Sequence, residues 1–134
     1  MSYRRSTVVE LPFDETVAVT REALADQGFG VLTEIDMAAT MKAKLDVDLP
    51  PQVILGACNP PLAYRALQAE ESIGLLLPCN VVVRSIDGDR TIVQTLDPQV
   101  MVQVTENPAL AEIADDAAAR LGKVLDRVGS YRAL

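Results

Sequence analysis

The chain contains two cysteines and no histidine, so nucleophilic or soft-ligand chemistry would have to centre on Cys58 and Cys79. Both are followed by asparagine, and each stands where an apolar run meets a turn signal. Cys58 closes Val53-Ile54-Leu55-Gly56-Ala57 and precedes Asn59-Pro60-Pro61; Cys79 follows Leu75-Leu76-Leu77-Pro78 and opens Asn80-Val81-Val82-Val83. If the two junctions lie at the same end of a sheet, the thiols converge on one site. A cysteine at a helix start sits in the positive end of the helix dipole, which favours thiolate. Cys58 meets that description if a helix follows Asn59; Cys79 has no comparable activator. Packing as small buried hydrophobes is the commoner fate of free cysteines and is the competing expectation for both.

The available chemistry is narrow. The two cysteines are far apart in sequence, unlike a Cys-x-x-Cys redox couple. Structural zinc takes four Cys or His ligands, so one chain supplies only half a site; two thiolates, Cys58 and Cys79, could hold a soft ion such as Cu(I). A Cys–His nucleophile pair is excluded by composition. Among acidic groups, Glu34-Ile35-Asp36 places two carboxylates on one face of a strand end, with Asp97 at another turn, and such a pair can do acid–base work if one is desolvated. A helix cap is the competing role for Asp36, and a solvated helix face accounts for Lys42 and Lys44. Gly28-Phe29-Gly30 is no dinucleotide fingerprint, because it follows a helix and precedes a strand, the reverse of a phosphate cradle.

These residues must be positioned by the elements around them. Ser6 to Leu11 reads as a strand stopped by Pro12. A helix follows with Asp14 as N-cap, Phe13 stapling its start, a stripe of Val17, Thr20, Leu24 and Gln27, and Gly28 as its left-handed terminator. Phe29 to Ile35 is a strand, and Asp36 caps a helix from Met37 to Leu45 whose apolar positions are Met37, Met41 and Leu45. Val53 to Cys58 is a buried strand. Asn59 and Pro60 open a helix over Leu62 to Glu71. Asn80–Ile86 and Arg90–Leu96 flank Asp87-Gly88-Asp89 as a hairpin, with Leu75 to Leu77 extending its first strand. Residues 99–105 read equally as strand or short helix. The last helix starts near Asn107-Pro108 and carries one stripe through Leu110, Ala114, Ala117, Leu121, Val124 and Val128 to Gly129. The order β-α-β-(α)-β-(α)-β-β-α predicts an α+β fold, a largely antiparallel sheet with helices on one face; a doubly wound parallel sheet is the alternative.

With 134 residues the chain is a single domain, 1–134. Its 49% apolar and 23% charged residues are those of a globular protein. A net charge of −7 disfavours nucleic acid and anionic membrane as partners. An aromatic content of 4% leaves little for base stacking. No apolar stretch reaches the length of a membrane span, and no secretory leader is evident, so a cytoplasmic protein with reduced thiols is expected.

The blocks Glu34-Ile35-Asp36, Lys44-Leu45, Ile54 to Ala63, Gly74 to Val83 and Asp97-Pro98 resemble the small prokaryotic family catalogued as domain of unknown function 302. The resemblance covers most of the chain, and the two Cys-Asn blocks in order are its most specific part. It implies a curved antiparallel sheet similar to one TATA-binding-protein-like repeat, in a homodimer, and it carries no activity or cofactor with it. Three functions compete. The first is a binding module for a small molecule or soft metal ion, its pocket lined by Cys58, Asn59, Cys79 and Asn80 with Glu34, Asp36 and Lys44 at the rim. The second is a thiol redox or sulfur-transfer enzyme with Cys58 attacking and Cys79 resolving. The third is a structural or interaction homodimer with both cysteines merely packed.

Overall fold

In the computed structural model, which describes residues 2–132, five strands form one sheet in the order β1-β5-β4-β3-β2. They are β1 (Arg4–Val9), β2 (Gly30–Asp36), β3 (Gln52–Cys58), β4 (Cys79–Ser85) and β5 (Thr91–Leu96). All four pairings are antiparallel, which rules out the doubly wound alternative. The helices are α1 (Phe13–Asp26), α2 (Met37–Leu45), α3 (Pro60–Ala69), α4 (Gln99–Thr105) and α5 (Ala111–Gly129), with 3-10 turns at Glu71–Leu76 and Pro108–Leu110. Among the described residues, no helix is long and apolar enough to cross a membrane.

Period-two alternation decides which side chains enter the core. Val53, Leu55 and Ala57 of β3, Val81 and Val83 of β4, and Val93 of β5 are buried beneath α1 and α5. Their neighbours Ile54, Val82, Arg84, Ile92 and Gln94 are only partly covered, and they define the opposite, open face. The α5 stripe is buried along its length and serves two clusters. Its C-terminal half (Leu121, Val124, Leu125, Val128) packs on the sheet; its N-terminal half (Ile113, Ala114, Ala117) packs with Leu62 and Ala66 of α3, Ile73, Met101 of α4 and Leu110.

Several local expectations need correction. Helix α1 starts at Phe13, and Pro12, not Asp14, occupies the N-cap position; the Thr16 hydroxyl donates to the Pro12 carbonyl at 2.9 Å. Asp14 and Glu15 lie in the first turn, where the dipole favours their charge. Thr16 and Ala23, absent from the expected stripe, are buried, whereas Gln27 is the C-cap. The Met37, Met41, Leu45 spacing of α2 buries nothing, because the helix has no buried residue. Leu75 and Leu76 belong to a 3-10 turn and do not extend β4; Leu75 is 87% exposed. Helix α3 stops at Ala69, while residues 99–105, open between strand and short helix, take the helical alternative. Their start is fixed by Asp97, whose Oδ1 accepts from the Gln99 amide at 3.0 Å, a local bond that a strand would not make.

Gly56 is held by close approach. A Cβ there would stand 2.2 Å from Thr33 Oγ1 and 2.8 Å from Pro78 Cγ. Threonine can rotate away, but a proline ring has little freedom. Gly56→Ala is expected to cost about 1–3 kcal/mol by overpacking, read as a lowered denaturant midpoint. Gly88→Ala, where an added methyl meets nothing within 4 Å, is the matched control and should leave the midpoint nearly unchanged.

Candidate functional site

The seam between the two apolar clusters is not filled. A hollow of about 280 Å³ opens there, bounded by the ends of β3 and β4, by α3, and by Met101, Ile113 and Ala117 of α4 and α5. Cys79 is the first residue of β4, paired with Ala57 of β3, so the two side chains share the inward face. Cys58 is the last residue of β3, where the strand gives way to α3, and it lines the hollow as well. The convergence expected of the two thiols is therefore realised at one wall. Both thiols are free, Cys58 partly exposed and Cys79 buried.

Burial raises the Cys79 thiol above its ordinary pKa, and the neighbouring Cys58 thiol adds to the shift. Both effects act against the charged form, so Cys79 stays protonated further into the alkaline range than a free thiol. Among the described residues, no cluster of three or more His, Cys, Asp or Glu side chains gathers to hold a metal ion.

Asn59 contributes structure as well as polarity. Its Oδ1 accepts from the Leu62 amide at 3.2 Å and caps α3; its Nδ2 donates to the Gln27 carbonyl at 3.4 Å. The same carbonyl accepts from Arg120 Nη1 at 3.1 Å, and Arg120 is held in turn by Asp116 at 2.8 Å. The end of α1, the start of α3 and the middle of α5 thus meet at one oxygen. Gly28 fits this junction by adopting φ +83°, and a Cβ there would press on Asn59 Nδ2 at 3.0 Å.

The remaining expected site residues are not at the hollow. Asn80 pairs with Gly56 and lies on the open face of the sheet, one residue and one pleat away from Cys79. Glu34 forms an ion pair with Arg21 of α1 at 3.0 Å. Asp36 caps α2 by accepting from the Ala39 amide at 2.8 Å, the role that competed with acid–base work. Lys44 stands exposed in the last turn of α2. Most of the hollow's wall is apolar and had not been singled out: Phe29, Leu32, Leu62, Ala63, Leu67 and Leu77 among others. The i, i+4 spacing of Leu62 and Ala66 on α3 carried a signal for part of it.

Two outcomes follow from this geometry. Asn59→Ala removes the α3 cap and one donor to Gln27, and is expected to destabilise the fold by about 1–2 kcal/mol, measured by thermal or denaturant unfolding. Asn59→Asp, which keeps the cap and loses the amide donor, should lie between. Separately, iodoacetamide should label Cys58 first, because Cys79 is both covered and held protonated. Mass mapping of labelled peptides across pH 7–10 checks this: preferential labelling of Cys79 at the low end would contradict the described burial.

Comparison with known proteins agrees with the architecture. Residues 5–128 match the family described as Domain of unknown function DUF302. A solved structure, the crystal structure of uncharacterized conserved protein DUF302 from Bacillus stearothermophilus, is similar with a TM-score of 0.88 and 34% sequence identity. The match covers 96% of this chain and 99% of that one. No curated protein matches the chain. With the family matched across both Cys-Asn blocks and nearly the whole sheet, the chain belongs to the DUF302 family.

Proposed function

We propose that the protein is a small binding module that takes an apolar molecule into the hollow between α3, α5 and the Cys58 and Cys79 ends of the sheet. The observation that carries this reading is the lining. Around a cavity of about 280 Å³ stand aliphatic and aromatic side chains, with Asn59 and the two thiols as the polar exceptions. That volume, about 280 Å³, falls just below the roughly 300–1,000 Å³ usual for ligand pockets, so the ligand is small. Leu32 and Leu67 lie at the pocket with 67% and 44% of their surface exposed, an arrangement that a bound apolar molecule would relieve. Gly28, Asn59 and Arg120 preorganise the adjoining corner, which lowers the ordering cost of binding.

The burial of Cys79 argues for binding over thiol exchange. A resolving thiol works as thiolate, and the apolar wall opposes that form. A soft ion would likewise have to deprotonate Cys79 before it could be held. In the binding reading the thiols act as polarisable, weakly polar wall groups, suited to contact with an unsaturated or aromatic ligand.

The test uses the neutral fluorophore N-phenyl-1-naphthylamine. Saturable enhancement at one site per chain is expected, and Ala63→Phe, which places a ring in the hollow, should weaken binding at least tenfold. Cys58→Ser and Cys79→Ala, tested for retained folding, separate a thiol contact from simple cavity filling. Absence of saturable binding, or equal binding by a folded Ala63→Phe variant, would overturn the proposal.

A further inference from the structure

We infer that the open face of the sheet carries a second site, which binds a small organic carboxylate with an apolar body. Charge supplies the first argument. In this acidic chain, Arg21, Lys42, Arg65, Arg90, Arg120, Arg127 and Arg132 each have a carboxylate within 4.0 Å. Among the described residues Arg4, Arg5, Lys44, Arg84 and Lys123 have none, and of these Arg4 and Arg84 line one depression of about 660 Å³ on the open face. Among the described residues, no acidic one lines it. Two uncompensated guanidinium groups in one concavity concentrate positive potential against the field of a protein of net charge −7.

Hydrogen bonding supplies the second. Arg84 Nη2 donates to Gln94 Oε1 at 3.1 Å, and Gln94 Nε2 donates to Ser6 Oγ at 3.0 Å. The chain runs across three strands, because Gln94 is the cross-strand partner of both Val82 and Ser6. It occupies one lone pair of the Gln94 amide oxygen and leaves the Ser6 hydroxyl proton and the other guanidinium N–H groups to donate elsewhere. Asn80 lines the same depression, and Arg4 lies over the Tyr3 ring, 5.8 Å from its centroid. The surplus is of donors, and the complement to donors is an oxyanion. Guanidinium forks match the two oxygens of a carboxylate.

The floor supplies the third. Val82, Ile92 and Leu96 line the depression with part of their surface open. Arg4 is paired with Leu96 and Arg84 with Ile92, so their backbones are offset by roughly 13 Å along the strand direction. An apolar body lying on that floor would present its carboxylate to one guanidinium while covering side chains that water now reaches. Inorganic phosphate offers charge without this body. This site is separate from the hollow of the thiols: Cys79 and Asn80 are consecutive on β4 and serve opposite faces.

Benzoate is the probe, titrated into the Ala63→Phe variant so that the apolar hollow is blocked, with amide chemical shifts as the readout. Shifts are expected at the side-chain amides of Asn80 and Gln94. Arg4→Gln or Arg84→Gln, whichever removes the guanidinium that meets the carboxylate, should raise Kd about tenfold, the size of one charge-assisted hydrogen bond. Benzyl alcohol, lacking charge, and inorganic phosphate, lacking the apolar body, should both bind more weakly than benzoate. Three results would each overturn the inference: unchanged affinity in the two arginine variants, phosphate binding as tightly as benzoate, or sedimentation showing a dimer that those variants dissociate. The last would assign the open face to a second copy of the chain.

Discussion

The pairing of β3 with β4, in a sheet covered on one side only, is the constraint from which the rest of the molecule takes its form. With Ala57 opposite Cys79, Leu55 opposite Val81 and Val53 opposite Val83, each of these buried pairs is built of small or branched side chains of low polarity. A slip of one residue would turn this whole set to the open face and bring Asn80, Val82 and Arg84 into the core. Burying an unpaired guanidinium is far costlier than exposing a valine. The register is thus held by what cannot go inside as much as by what must.

The hollow follows from a second constraint, the length of α5. One helix spans the sheet core and the smaller cluster under α3 and α4. The two clusters approach α5 from different elements, and Ile113 and Ala117 must serve as wall for the seam between them. Small residues, Ala57, Ala63, Ala66 and Ala117, stand where larger ones would close it. The seam is kept in shape at one corner by a single backbone oxygen. The Gln27 carbonyl, left without a helical partner at the end of α1, accepts from both Asn59 and Arg120. An orphan helix-end carbonyl needs such donors. Here the donors come from α3 and α5, so satisfying α1 also locates the other two helices.

Alternation also separates the halves of the second Cys-Asn pair. Asn59 lies beyond the end of β3 and acts as a helix cap beside the hollow, whereas Asn80 lies within β4 and is turned to the other side. Two identical dipeptides therefore do different work. The one at a strand-to-helix junction is read by capping chemistry, and the one inside a strand is read by the pleat.

Much of this was legible in the residues themselves. Pro12, Asp36, Asn59-Pro60, Asp87-Gly88 and Asn107-Pro108 act through bonds and torsions within a few positions of their own backbone, and they marked element ends without knowledge of the fold. The α5 stripe was equally clear, since helical spacing is a local property. Local rules failed where long-range contact decides. The apolar spacing of α2 resembles that of α5, but its residues are at most partly covered and none is buried. Residues 99–105, which local pattern left open between strand and short helix, form a helix whose Met101 completes the smaller cluster. Glu34, expected at the rim, pairs instead with Arg21 on another element. The sequence by itself determined the five strands and the helices α1, α2, α3 and α5, the identity of the two thiols and the caps that begin helices α2 and α3. Only the tertiary structure decided that Cys58 and Cys79 share a wall, that Asn80 does not, and that a seam stays open beside them, because those outcomes depend on strand register and on side-chain volumes contributed by elements distant in the chain.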